Sequence, residues 1–122
     1  MYEVFFYKDK SGKEPVKDYI KDLAGRKDKN SRIKLNKIQD YIQILKLHGT
    51  QAGEPYVKHL VDKIWELRPS KNRILFTGWI DKSFILLHHF IKKTKKTPKQ
   101  EIDQAIRNMN DFIARSKENE KK

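Results

Sequence analysis

The chain has no cysteine among its 122 residues, so it forms neither disulfides nor thiolate metal sites. Glycine is scarce, at 5, and none of it falls in the phosphate-cradling patterns that nucleotide-binding folds require. The four histidines, His48, His59, His88 and His89, lack ligand spacing, and adjacent residues on a strand point to opposite faces. No metal and no cofactor are expected. A nucleophile elbow and a paired-carboxylate motif are missing as well. No stretch approaches the roughly 20 apolar residues that a bilayer span needs. The N-terminal segment has no basic residues ahead of its short apolar run, unlike a signal peptide. A cytoplasmic protein is the expectation.

Negative charge is also in short supply. Only 16 Asp and Glu stand against 28 Lys and Arg, a net charge of +12. So large a field on one small domain attracts polyanions, and nucleic acid, an acidic membrane or an acidic protein partner would all satisfy it. Hydrophobic residues are lean, at 37%, but they are clustered, so the chain is expected to fold as one domain. That domain is expected over residues 1–115, with a polar, frayed tail at 116–122.

Tyr2–Tyr7 is short and rich in aromatics, and it stops before the turn-forming Asp9-Lys10-Ser11-Gly12. It predicts a first strand, placed at a sheet edge or beside the last strands. Pro15 opens a helix whose stripe is Val16, Tyr19, Ile20 and Leu23, closed by Gly25. Ser31 is the expected cap of a second helix with Ile38, Tyr41, Ile42 and Leu45 on one stripe and Gly49 as its terminator. The period then changes. Lys63–Arg68 alternates, with Trp65 and Leu67 on one face and Glu66 and Arg68 on the other. Two further strands, Arg73–Ile80 and Ser83–Ile91, flank a two-residue hairpin loop, Asp81-Lys82. Thr97-Pro98-Lys99-Gln100 reads as a capping box for a last helix with Ile102, Ala105, Ile106, Met109 and Ile113 inward. The order β-α-α-β-β-β-α defines an α+β fold: an antiparallel sheet with an N-terminal helix pair and a C-terminal helix.

Chemistry concentrates at one end of this plan. Lys92, Lys93, Lys95 and Lys96 follow the last strand, and lysines donate without accepting, which suits a phosphate backbone. A solvated loop that keeps the protein soluble accounts for them equally simply. Hairpin register places Arg73 opposite Phe90, at the same end as Lys92 and Lys93. Glu66 and Arg68 reach that end if the strand 63–68 pairs with the strand 73–80. The ordinary alternative is a Glu66–Arg73 ion pair on a solvent face, worth little.

In order along the chain, Lys58-His-Leu60, Ile64-Trp-Glu-Leu-Arg-Pro69, Asn72-Arg-Ile-Leu-Phe76, Leu86-Leu-His-His-Phe-Ile-Lys-Lys-Thr-Lys-Lys-Thr-Pro98 and Glu101-Ile…Ala105 resemble the phage-related HigB-like branch of the RelE/ParE toxin superfamily. The resemblance is best over residues 55–115. It implies a RelE-like fold and the toxin of a toxin–antitoxin pair that cleaves mRNA on the ribosome. It also implies a HigA-like antitoxin with a helix-turn-helix, through which the complex dimerises. Carried over by position, Arg73 matches the arginine that contacts the scissile phosphate. Lys93 falls near the second basic position, with Lys92 beside it, and Arg68 matches the arginine that ends W-E-L-R. Glu66 stands where some relatives carry a basic residue. The C-terminal tyrosine of some RelE enzymes has no counterpart, since residues 99–122 contain no Tyr.

Metal-free RNA cleavage needs an activated 2′-hydroxyl, a stabilised pentacoordinate phosphate and a protonated leaving oxygen. Arg73 and Arg68 supply forked donors for the phosphate. Like charges ease the release of a crowded lysine's proton, which makes Lys92 and Lys93 candidates for proton transfer, with Glu66 or His89 as the alternative base. Lys58, Lys92, Lys95, Lys96 and His89 make up the expected RNA- or ribosome-contacting set. Two other functions fit the same cations: a ParE-like gyrase inhibitor, and a basic nucleic-acid or antitoxin-binding module without catalysis.

Overall fold

A computed structural model describes residues 1–120. Five strands form one sheet in the order β1-β5-β4-β3-β2, from β1 (Glu3–Phe6), β2 (Val57–Val61), β3 (Ile64–Leu67), β4 (Asn72–Trp79) and β5 (Ser83–Ile91). All pairs are antiparallel except β1 with β5. Helices α1 (Pro15–Gly25) and α2 (Lys29–His48) precede β2, and α3 (Lys99–Glu120) follows β5. The expected α+β class is what the structure has, with one strand more than the sequence pattern indicates. That strand, β2, is a short edge of sequence VKHLV, irregular in register between His59 and Val61 and exposed at Lys58 and His59. An edge strand that buries so little carries a weak period-2 signal.

The sheet is covered on both faces. Val16 and Leu23 of α1 and Ile38, Tyr41 and Leu45 of α2 pack with Leu67, Ile74, Phe76 and Leu86 on one side. Ala105, Ile106, Met109 and Phe112 of α3 pack with Tyr7, Ile64, Leu75, Ile85 and Leu87 on the other. The helix α2 begins earlier than Ser31 predicts. Asp28 is the cap, accepting from both the Ser31 N–H (2.9 Å) and the Ser31 hydroxyl (2.8 Å). Gly49 ends α2 at φ 61°, and a Cβ there would meet the Tyr2 ring at 2.8 Å, so glycine is required on two counts. At the far end, α3 runs on through Ser116 to Glu120. The expected frayed tail is therefore helical up to that point, and residues 121–122 lie outside the described residues.

The β4–β5 hairpin reaches its expected register by a different route. Trp79 pairs with Ser83, so the loop has three residues, Ile80–Lys82, and its Asp81 and Lys82 have φ of 55° and 54°. That loop alone would move every later pair by one. A bulge at Leu87 restores the count, because Phe76 pairs with Leu86 and Leu75 with His88. Arg73 consequently does face Phe90.

Candidate functional site

The turn Pro69–Lys71 brings the end of β3 against the start of β4, and three charged side chains meet there. Glu66 is 2% exposed and Arg73 6%. Glu66 Oε1 lies 3.4 Å from Arg68 Nε and 3.7 Å from Arg73 Nε, and Glu66 Oε2 accepts the Thr97 hydroxyl at 2.5 Å. Arg73 Nη1 donates to the carbonyls of Ser70 (2.6 Å) and Asn72 (2.8 Å), which pins its guanidinium to the turn. Burial lowers the Arg73 pKa from its ordinary value, the Glu66 charge acts against that, and the Arg68 charge adds to it. Arg68 keeps more solvent, reaches Glu54 at 3.8 Å, and has its Nε buried without a hydrogen-bond partner.

This is not the solvent-face ion pair of the simple reading. Glu66 alternates with Trp65 and Leu67, which pack beneath α1 and α2. Its side chain therefore belongs to the α3 side of the sheet, where Leu75 is its cross-strand neighbour. Both carboxylate oxygens are engaged, Oε1 facing the two guanidiniums and Oε2 the Thr97 hydroxyl.

The other predicted residues divide. Lys58 is exposed on β2 directly opposite Glu66. The Lys92 N–H donates to the Lys71 carbonyl at 2.8 Å, which keeps the lysine loop beside the turn that holds Arg73. Lys95 and Lys96 are exposed in that loop, which Thr94 Oγ1 braces by donating to the Lys96 carbonyl at 2.7 Å. Lys93 and His89 meet elsewhere, along a cavity of about 460 Å³ that Glu101 also lines. So the single cluster expected from the sequence is two adjoining places: a buried carboxylate–guanidinium knot, and a cavity between the end of β5 and the start of α3.

His89 is held from the opposite face to His88. Its ring stacks on Tyr19 at 3.7 Å, and its Nε2 lies 3.0 Å from Asn72 Oδ1, which also accepts the Tyr19 hydroxyl at 2.9 Å. An amide oxygen only accepts, so the proton is on Nε2 and Nδ1 keeps its lone pair. Burial pushes the His89 pKa down to about 4, with a smaller push from His88. His88 turns toward α3 and meets Glu101 Oε2 at 3.2 Å.

Thr97, Asn72, Tyr19 and Glu101 were not legible as site residues. Thr97 reads locally as a helix cap, yet its hydroxyl goes to a carboxylate 31 positions away. The Tyr19–Asn72 and His89–Asn72 contacts span 53 and 17 positions. No spacing in the sequence encodes such pairs.

A mostly antiparallel sheet between a helix pair and a C-terminal helix, with a buried arginine at a strand turn beside a basic loop, defines a small α+β protein whose cations gather at one end of the sheet. The profile of the phage-derived protein Gp49-like family matches residues 27–110, well over half of the chain. The chain belongs to this family, a RelE/HigB-like toxin family whose members are associated with toxin–antitoxin pairs. Such membership carries an antitoxin partner with it. A search of curated proteins finds no match. Among the described residues, no helix is long and apolar enough to cross a membrane.

Proposed function

We propose that the protein is the toxin of a HigB-like pair and an endoribonuclease that cuts mRNA on the ribosome without a metal. The observation that carries this reading is Arg73: a guanidinium fixed by two backbone carbonyls and a buried carboxylate, beside a loop with four lysines. Preorganised donors of this kind stabilise charge that develops on a phosphate, because no reorganisation is needed at the moment of reaction. Nη2 of Arg73, which neither carbonyl bond uses, and the outer edge of Arg68 are the phosphate donors. Glu66 and Thr97 are positioning residues that hold the two guanidiniums.

In the reaction the 2′-oxygen attacks phosphorus and the bond to the 5′-oxygen breaks. The products are a 2′,3′-cyclic phosphate and a 5′-hydroxyl. The proton lost from the 2′-hydroxyl and the proton gained by the leaving oxygen both pass through Lys92, Lys93 or ordered water. Lys58, Lys95 and Lys96 contact the backbone. The ribosome presents mRNA in line for attack, so alignment supplies part of the rate. A HigA-like antitoxin with a helix-turn-helix restrains the toxin, and the complex dimerises through it. The setting is the cytoplasm.

Induced expression followed by mapping of transcript ends tests the reading. Breaks phased to codons are expected. Intact transcripts with DNA damage would mean gyrase inhibition, and neither lesion would mean a binding module.

A further inference from the structure

We infer that Asn72 is a positioning residue for Arg73, and that Tyr19 of α1 acts on the Arg73 guanidinium through it. The inference rests on the ribonuclease reading for the reaction that Arg73 serves, and on the geometry around Asn72 for the positioning.

Asn72 opens β4 directly after the turn Pro69–Lys71 and is only 3% exposed. Its N–H donates to the Pro69 carbonyl at 3.0 Å and closes the turn. Its own carbonyl accepts Arg73 Nη1 at 2.8 Å, and the Ser70 carbonyl accepts the same nitrogen at 2.6 Å. The peptide plane after Asn72 therefore decides where the guanidinium rests. The Asn72 side chain anchors that plane from the α1 side. Its Oδ1 accepts the Tyr19 hydroxyl at 2.9 Å and the His89 Nε2–H at 3.0 Å, one donor from α1 and one from β5. Turning the amide away would leave both donors without their acceptor, so one rotamer is strongly favoured.

The two donors are themselves fixed. The Tyr19 and His89 rings stack at 3.7 Å with 21° between their planes. Burial holds the His89 pKa down at about 4, so near neutral pH the ring is uncharged and its single N–H goes to Asn72. Packing alone would need only the rings. The shared acceptor adds a dependence of the Arg73 seat on α1, an element 53 positions away in sequence. Arg73 in turn faces Glu66 at 3.7 Å, so Asn72 links α1 to the carboxylate–guanidinium knot. Donors aimed at a transition state lose effect steeply when misplaced, by about a hundredfold for about 1 Å.

The test reads Arg73 directly in the whole isolated protein. Hindered rotation gives the Nη1 and Nη2 groups of a clamped arginine separate nitrogen NMR signals, and free rotation merges them. The Arg73 signals are those that vanish in Arg73→Lys. Expected are separate signals in the native protein. Their exchange should be at least about tenfold faster in Asn72→Ala and about threefold faster in Tyr19→Phe, which keeps the ring stack. On ribosome-bound mRNA, kcat should fall by about tenfold to a hundredfold in Asn72→Ala and by at least about threefold in Tyr19→Phe, with KM unchanged. Asp111→Ala, which loosens the protein at α3, should leave the Arg73 signals as they are. Native exchange rates in both Asn72→Ala and Tyr19→Phe overturn the inference. So does equal quickening in Asp111→Ala, since general loosening would then account for it, or a raised KM with kcat kept. A clamp lost in the variants, alongside intact transcripts from the native protein, would retain the positioning and remove the ribonuclease reading. An unclamped native Arg73 alongside cut transcripts would do the reverse.

Discussion

The Thr97 hydroxyl donates to Glu66 Oε2 at 2.5 Å and so ties the end of the lysine loop to a carboxylate buried under β3. Thr97→Val keeps the shape and removes the donor. A buried carboxylate oxygen left without its partner costs about 1–3 kcal/mol, and the loop at Lys92–Lys96 loses its tether. Urea unfolding should show the loss, and amide hydrogen exchange should quicken in the loop. Native exchange rates in a folded Thr97→Val protein would show that the tether does not order the loop.

Arg73→Lys preserves charge but offers one nitrogen in place of three, so the Nη1 bonds to the two carbonyls and a phosphate contact through Nη2 cannot be kept together. The variant should fold, bind its antitoxin and lose growth inhibition by about a hundredfold in rate, the loss expected for one preorganised donor. Arg73→Ala should also lose stability, because Glu66 would keep a buried charge with one partner removed. Full toxicity of Arg73→Lys at native expression level would remove Arg73 from the site.

His89 has a folded pKa of about 4, below its ordinary 6.5. Between those values the unfolded chain binds a proton that the folded chain excludes, so stability rises with pH through that window. The contribution is complete above about pH 6.5 and lost as pH falls to about 4. At about 1.4 kcal/mol per unit it amounts to about 3 kcal/mol. Urea midpoints at pH 7 and pH 4.5 measure it, and His89→Gln should flatten the slope. A native protein with equal midpoints would contradict a buried neutral His89.

Asp111 joins the end of β1 to α3. Its Oδ2 accepts the Tyr7 hydroxyl at 2.6 Å and Arg115 Nη2 at 2.8 Å, while Arg115 also reaches the Lys8 carbonyl. Burial, with the Asp111 hydrogen bond adding, pushes the Tyr7 pKa up to about 12. The folded state therefore favours the protonated phenol, and stability should fall as pH rises from about 10 to about 12. Asp111→Ala should cost about 1–3 kcal/mol. Truncation after Arg115 should cost far less, since Lys117, Glu118 and Asn119 are exposed. Thermal melts of the two variants decide between them, and equal losses would deny the clasp its role.

A net charge of +12 steers an acidic antitoxin toward the toxin, so salt should slow association more than it speeds dissociation. Stopped-flow mixing of toxin and antitoxin across a salt series checks this. A salt-independent association rate would rule out electrostatic steering.

Short-range physics made much of this protein readable in advance. Pro15, Gly25 and the stripe Val16, Tyr19, Ile20 and Leu23 define α1, because capping and a 3.6-residue period act within a few positions. Alternation in β3 sets Trp65 and Leu67 against Glu66 and Arg68, and the charge follows from composition alone. The Arg73–Phe90 pairing was legible too, although a longer loop and the bulge at Leu87 produce it by cancelling each other. Other features belong to tertiary structure alone. The parallel seat of β1 beside β5 and the pairing of the edge strand β2 depend on which neighbours the packed layers offer. The burial of Glu66 with Arg73 and Thr97 depends on α3 closing over one face of the sheet, since desolvation is a property of what surrounds a charge and not of its neighbours in sequence. The division of the basic residues between a buried knot and an open cavity has the same cause. Local periodicity says which side of a strand a residue takes, and only the assembled layers decide whether that side meets water, protein or an opening wide enough for a ligand.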